Sequence, residues 1–180
     1  MLHGYPGLRA RDIAALAIRA ARGGDGDEDR WPSIRHMEYA GLTSGKFITH
    51  PHDPGVLLGD AGAVPKVDVD VVVSMCRMGS EILPAEHIEF WLIDDGASAN
   101  ANLEFVIDDA ARTVQTLRAE GKRVFLHCAE GMSRTPSIAA RYSMLLGENP
   151  QDLSTLTYTL GGKPIPVNPN PQFWAAALRG

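Results

Sequence analysis

The 180 residues include only two cysteines, Cys76 and Cys128. A single pair cannot build the multi-bridge framework of small extracellular domains, and a reducing compartment leaves both as thiols. A cytoplasmic protein is therefore expected. Basic residues are also scarce: 17 Lys and Arg stand against 22 Asp and Glu, a net charge of −5. Nucleic-acid backbones select basic faces, so no nucleic-acid partner is expected. No apolar run approaches the roughly 20 residues that span a bilayer, and no membrane partner is expected. IAALAI, after Arg9 and Arg11, is too short for a secretory leader, and Arg19 and Arg22 follow it.

Metal-ligand patterns are lacking too. DGDED, from Asp25, resembles the start of a calcium loop, but Arg30 stands where glycine is needed and His36 where a bidentate glutamate is needed. THPHDP, Thr49 to Pro54, has two histidines and an Asp but no remainder of a site, and reads as a proline-stiffened turn. No metal and no cofactor are expected.

What remains is an ordinary globular composition, 44% apolar and 22% charged, enough for one domain with a sizeable core. Residues 8–22 read as a helix with Ile13, Leu16, Ala17 and Ala20 on one face. That face is a candidate docking surface, for the rest of the chain or for a protein partner. The organisation is then an N-terminal helical extension (1–24), an acidic glycine-rich linker (25–32) and a main domain (33–180). Between Pro32 and Val67 the pieces FIT and VLL predict short strands or irregular structure. Strands are expected at Val69–Cys76, His87–Ile93 and Arg123–His127. Helices are expected from Asn100, as a cap, to about Glu120; from the end of HCAEGMSRT to about Leu146; from about Pro150 to Leu160; and from Asn170 through FWAAAL. Trp91, Trp174, Phe90 and Phe173 fall on these patterns as core, whereas Asp108 and Asp109 read as a solvated helix face. Alternating elements predict an α/β fold: a central, mostly parallel sheet flanked by helices, with ligands bound beyond the strand C-termini.

HCAEGMSRT, His127 to Thr135, lies at such an end, between a strand and a helix. Five residues separate Cys128 from Arg134. A loop of that length entering a helix N-terminus can aim the backbone N–H groups of Ala129, Glu130, Gly131, Met132 and Ser133 at one centre, an anion cradle favoured by the helix dipole. Gly131 tolerates dihedrals that other residues resist. Arg134 can close the ring with two parallel bonds to phosphate oxygens. The same field favours the Cys128 thiolate, placed for in-line attack on phosphorus. Thr135 can donate to the sulfur, and His127 can order the loop. None of Ala129, Glu130 and Met132 is basic, which ranks highly charged ligands low.

H-C-x-x-G-x-S-R-T resembles the signature of the cysteine-dependent protein tyrosine phosphatases, most like the small dual-specificity branch. PNPQF, Pro169 to Phe173, is similar to the opening of that branch's last helix. The resemblance spans Pro32 to Gly180. It implies a central sheet with the phosphate loop emerging from it, no metal, a phosphocysteine intermediate, and a general-acid Asp on an upstream loop. WLIDDG, Trp91 to Gly96, holds that position. In PRL-type phosphatases a similar DDG uses its second Asp, which favours Asp95, with Asp94 the alternative. Cys76 ends a strand comparable to one whose cysteine in PRL-type enzymes can bond the catalytic one. A buried inert thiol and a redox partner of Cys128 are its two readings. The function implied is a hydrolase acting on a phosphorylated protein or a small phosphomonoester. A catalytically silent phosphate-binding module and a redox-regulated interaction module are the alternatives.

Overall fold

The computed structural model describes residues 44–78, 85–95 and 97–179. The expected N-terminal helix, the linker and the acidic DGDED stretch lie outside the described residues.

The centre is a five-stranded sheet of β1 (Phe47–His50), β2 (Asp53–Asp60), β3 (Val71–Ser74), β4 (Glu86–Glu89) and β5 (Val124–Cys128), in the order β1-β2-β5-β3-β4. Only β1 runs antiparallel, joined to β2 by a turn at Pro51 and His52. The parallel strands β2, β5, β3 and β4 place their C-terminal ends on one side. β3 and β5 are buried throughout, as strands covered on both faces must be.

Side chains alternate between two cores. Val56, Leu58, Val71, Val73, Val124 and Leu126 join one, with the three α-helices among the described residues: α1 (Leu103–Ala119), α2 (Arg134–Leu145) and α3 (Pro171–Leu178). Val72 and Phe125 join the other, with the 3-10 helix Ala61–Lys66. Helices thus flank the sheet as expected, the long ones on one face. In α1, Leu103, Ile107, Ala110, Val114 and Leu117 recur at helical spacing and are buried. Each large one stabilises by about 1.5–3 kcal/mol.

Four expectations are corrected. The segment from Pro150 is a 3-10 helix only to Thr155; a hairpin follows, β6 (Thr157–Leu160) and β7 (Lys163–Pro166). The reason is local: TYTL is β-prone, and Gly161 and Gly162 both adopt the positive φ that a two-residue hairpin turn requires. Second, the strand beginning near His87 ends at Glu89, and the chain turns out at Trp91, which is 44% exposed rather than core. Third, α1 starts after Asn102, not Asn100. Fourth, Asp108 is more than part of a solvated face: partly exposed, it accepts from the buried Arg141 (Nε 2.8 Å, Nη2 2.5 Å) and from Arg112 (2.6 Å), tying α1 to α2. Phe173, Phe90 and Trp174 do pack on the core. His50 and His52 hold the β1–β2 turn to α2 through Ala139 O (3.3 Å) and Ser143 Oγ (2.9 Å), and His52 also meets Asp152 (3.0 Å).

Candidate active site

β5 ends at Cys128 and α2 begins at Arg134, so the five intervening residues form the connection at the C-terminal edge of the sheet. Cys128 is 1% exposed. The backbone N–H of Gly131 donates to its sulfur at 3.2 Å. Gly131 has φ +74°, and a Cβ there would stand 2.8 Å from the backbone carbonyl of Gly59. Only glycine fits that approach and that dihedral. The loop is tied from below: Ala61 N donates to Ala129 O (3.2 Å), and Asp60 and Cys128 are register partners.

Arg134, 8% exposed, sends Nη1 to Met75 O (3.2 Å) and Leu92 O (2.7 Å), and its Nε lies 3.6 Å from Asp94. Asp94 also accepts from Ser133 Oγ (2.8 Å), which in turn accepts from Asn170 N (3.0 Å). Asp94 is therefore brought against the loop. Asp95 is exposed, and among the described residues its carboxylate receives no hydrogen bond from the loop. Thr135 is fully buried, and its hydroxyl faces Gly59 O (3.4 Å), where the sequence led to expect the Cys128 sulfur.

The His127 imidazole bridges the loop backbone and β3. Nδ1 donates to Cys128 O (3.1 Å), so Nε2 accepts from Ser74 Oγ (2.7 Å), and Ser74 Oγ accepts from His87 Nε2 (2.8 Å). Burial lowers the His127 pKa to about 4, which keeps the ring neutral and this tautomer intact. Cys76 is buried, and that burial, with Cys128 nearby, pushes its thiol up to about 12. Both cysteines are free thiols.

Three supports had no signal in the sequence. Tyr158, on β6, donates its hydroxyl to Gly131 O (2.9 Å). Asp60 is fully buried and accepts from Ser44 N (2.9 Å), Gly45 N (3.0 Å) and Lys46 Nζ (3.3 Å), fixing the end of β2 beneath the loop. Asn168 N donates to Met132 O (2.9 Å). An open cavity of about 500 Å³ lies beside the loop, between Asp94, Glu130, Met132 and Ser133 on one side and Asn168–Pro171 on the other. PNPQF thus forms a wall of the site, with Asn170 capping α3 through Gln172 N (2.9 Å).

The sequence model of the family described as "Dual specificity phosphatase, catalytic domain" matches residues 63–177, more than half of the chain. The chain belongs to the dual-specificity phosphatase family. Its fold is similar to the crystal structure of DUSP15 (16% identity, TM-score 0.56, 73% of this chain and 84% of that one). It is also similar to human DUSP28 (17%, TM-score 0.53, 69% and 90%). A third similar structure is the human tyrosine phosphatase-like serine/threonine/tyrosine-interacting protein (14%, TM-score 0.55, 73% and 92%). At these identities the likeness is one of fold. No curated protein sequence matches the chain. Among the described residues of this dual-specificity phosphatase domain, no helix is long and apolar enough to cross a membrane.

Proposed function

We propose that the protein hydrolyses phosphomonoesters, of a phosphorylated protein or a small molecule, through a phosphocysteine at Cys128. The observation that carries this reading is the Gly131 N–H aimed at the Cys128 sulfur (3.2 Å) where β5 meets the N-terminus of α2, with Arg134 opening that helix. The equatorial oxygens of a phosphoryl group above the sulfur would accept hydrogen bonds from the loop N–H groups and the Arg134 guanidinium. The Cys128 thiolate attacks phosphorus, the P–O bond to the leaving group breaks, and an Asp protonates that oxygen. In the second step the same carboxylate takes a proton from water as the water oxygen attacks phosphorus. The S–P bond breaks, inorganic phosphate leaves, and the thiolate is restored.

The contact of Asp94 with Ser133 and Arg134 supports Asp94 as the acid, over the Asp95 favoured by resemblance. A silent phosphate-binding module has one observation in its favour, the Thr135 hydroxyl engaged by Gly59 O rather than the sulfur. Phosphate release from an aryl phosphate in excess chelator decides between them. Turnover lost in Cys128→Ser, with the basic limb of the pH profile lost in Asp94→Asn but kept in Asp95→Asn, is expected. Binding of phosphate or vanadate without any turnover would establish the silent module instead.

A further inference from the structure

Asn100 is 8% exposed although it lies between the Asp94-Asp95 turn and the start of α1. It does not cap the helix. Its side chain reaches back seven residues, accepting from Ile93 N at Oδ1 (2.8 Å) and donating from Nδ2 to Ile93 O (2.7 Å). A primary amide paired in this way with a backbone residue satisfies both polar groups of that residue, as a neighbouring strand would.

Ile93 O also accepts from Asp95 N (2.8 Å), whereas Ile93 N has its acceptor in Asn100 Oδ1. Ile93 is 52% exposed, so packing does little to fix it. Its neighbours carry contacts between this segment and the phosphate loop with its Arg134, which also lies 3.6 Å from Asp94. Leu92 O accepts from Arg134 Nη1 (2.7 Å), and Asp94 Oδ1 accepts from Ser133 Oγ (2.8 Å). Ile93 is thus the pivot between the guanidinium contact and the carboxylate.

We propose that Asn100 is a positioning residue for the proton-donating step: by pinning Ile93 it holds the carboxylate that follows at the loop. The proposal rests on the phosphatase reading above. It does not depend on which Asp is the acid, because Asp94 and Asp95 both lie between Ile93 and Asn100, in a short loop closed by the two bonds. Unpinned, the loop can carry the acid away while the cradle, built from β5 and α2, is untouched. The acid matters only when the leaving oxygen is basic enough to need a proton. Loss of positioning should therefore select by leaving group.

The test is kcat/KM of the full chain on phenyl phosphate and on dinitrophenyl phosphate, for wild type, Asn100→Ala and Asn100→Asp. The Asp variant keeps an acceptor for Ile93 N and loses the donor to Ile93 O. Asn100→Ala is expected to lose about 10- to 100-fold on phenyl phosphate, less than about 3-fold on dinitrophenyl phosphate, and to leave the vanadate Kd within about 2-fold. Asn100→Asp should fall between; if the Ala variant does not fold, it carries the same comparison. Equal losses on both substrates, or none, would overturn the proposal while leaving the phosphatase reading standing. Wild-type protein inactive on both, or activity that survives Cys128→Ser, would overturn the phosphatase reading and this one with it.

Discussion

Lowering the pH should destabilise this fold well before its carboxylates protonate. His50 and His127 are both buried, and burial lowers each pKa to about 4. The neutral rings are matched to their partners. His50 Nδ1 accepts from His52 N (3.1 Å) while Nε2 faces Ala139 O (3.3 Å), so a second ring proton would meet a donor. His127 Nε2 accepts from Ser74. The unfolded chain binds these protons near the ordinary value of about 6.5. Its stability contribution is therefore complete above that value and is lost as pH falls towards 4. At pH 5 an unfolded imidazole is protonated about 30-fold over neutral, whereas the folded one is about nine-tenths neutral. That difference is about 2 kcal/mol per ring and about 4 kcal/mol for the pair. The shift of His87, also downward through burial, adds with the same sign. Asp53 and Asp108 do not enter this window, since their hydrogen bonds and ion pairs hold them below the ordinary carboxylate range. Urea unfolding followed by circular dichroism at pH 7.5, 6 and 5 measures the loss. His50→Gln should remove about half of the pH dependence even if it lowers stability at every pH. A stability that changes by less than about 1 kcal/mol across this range would refute the reasoning.

Three further outcomes follow from the loop and its surroundings. Tyr158→Phe removes the hydroxyl that donates to the Gly131 carbonyl of the loop, and should cost about 1–3 kcal/mol in urea unfolding and weaken vanadate binding several-fold; unchanged binding would remove Tyr158 as a support. Gly131→Ala should abolish vanadate binding, because its Cβ meets the Gly59 backbone and the dihedral alone costs about 1–2 kcal/mol; binding at wild-type affinity would contradict the loop geometry. Cys76, with its thiol pushed up to about 12, is almost wholly protonated at pH 7.5 and should be a slow resolving group. Mass spectrometry after mild peroxide should show Cys128 oxidised with little Cys76–Cys128 disulfide, the link forming about tenfold faster per pH unit; rapid linkage at pH 7 would restore the redox reading.

The sequence made legible whatever was local. β3 and β5 were visible as VVVS and VFLHC because strands covered on both faces are apolar without interruption. α1 was visible from the spacing of Leu103, Ile107, Ala110 and Val114. Asn170 with Pro171 marked the start of α3 because cap and first-turn residues act over two or three positions. The misread stretch after Pro150 did hold its own signal in Gly161-Gly162, but a 3-10 turn and a short strand together copy the length of a helix. Asp108 and Asn100 were misread for a different reason. Each looks like an ordinary helix or cap residue until Arg141 or Ile93 is brought to it.

The same division runs through the site. The residues proposed to touch phosphate are contiguous, because a cradle of backbone N–H groups must be one short piece of chain. Their types therefore show in nine letters. The shape of that piece is held from elsewhere: Gly59 sets how closely β2 approaches Gly131, Tyr158 holds the Gly131 carbonyl, and Asn168 holds that of Met132. None of these needs a particular spacing from Cys128, since the sheet and the hairpin deliver them in space. A loop with the right letters but without these three contacts would keep its cysteine and arginine and lose the convergence of its amides. Transplanting HCAEGMSRT to another strand-to-helix junction should accordingly give a reactive cysteine with little phosphate affinity, and vanadate binding by such a chimera at the parent's Kd would show that the nine residues fold their own cradle.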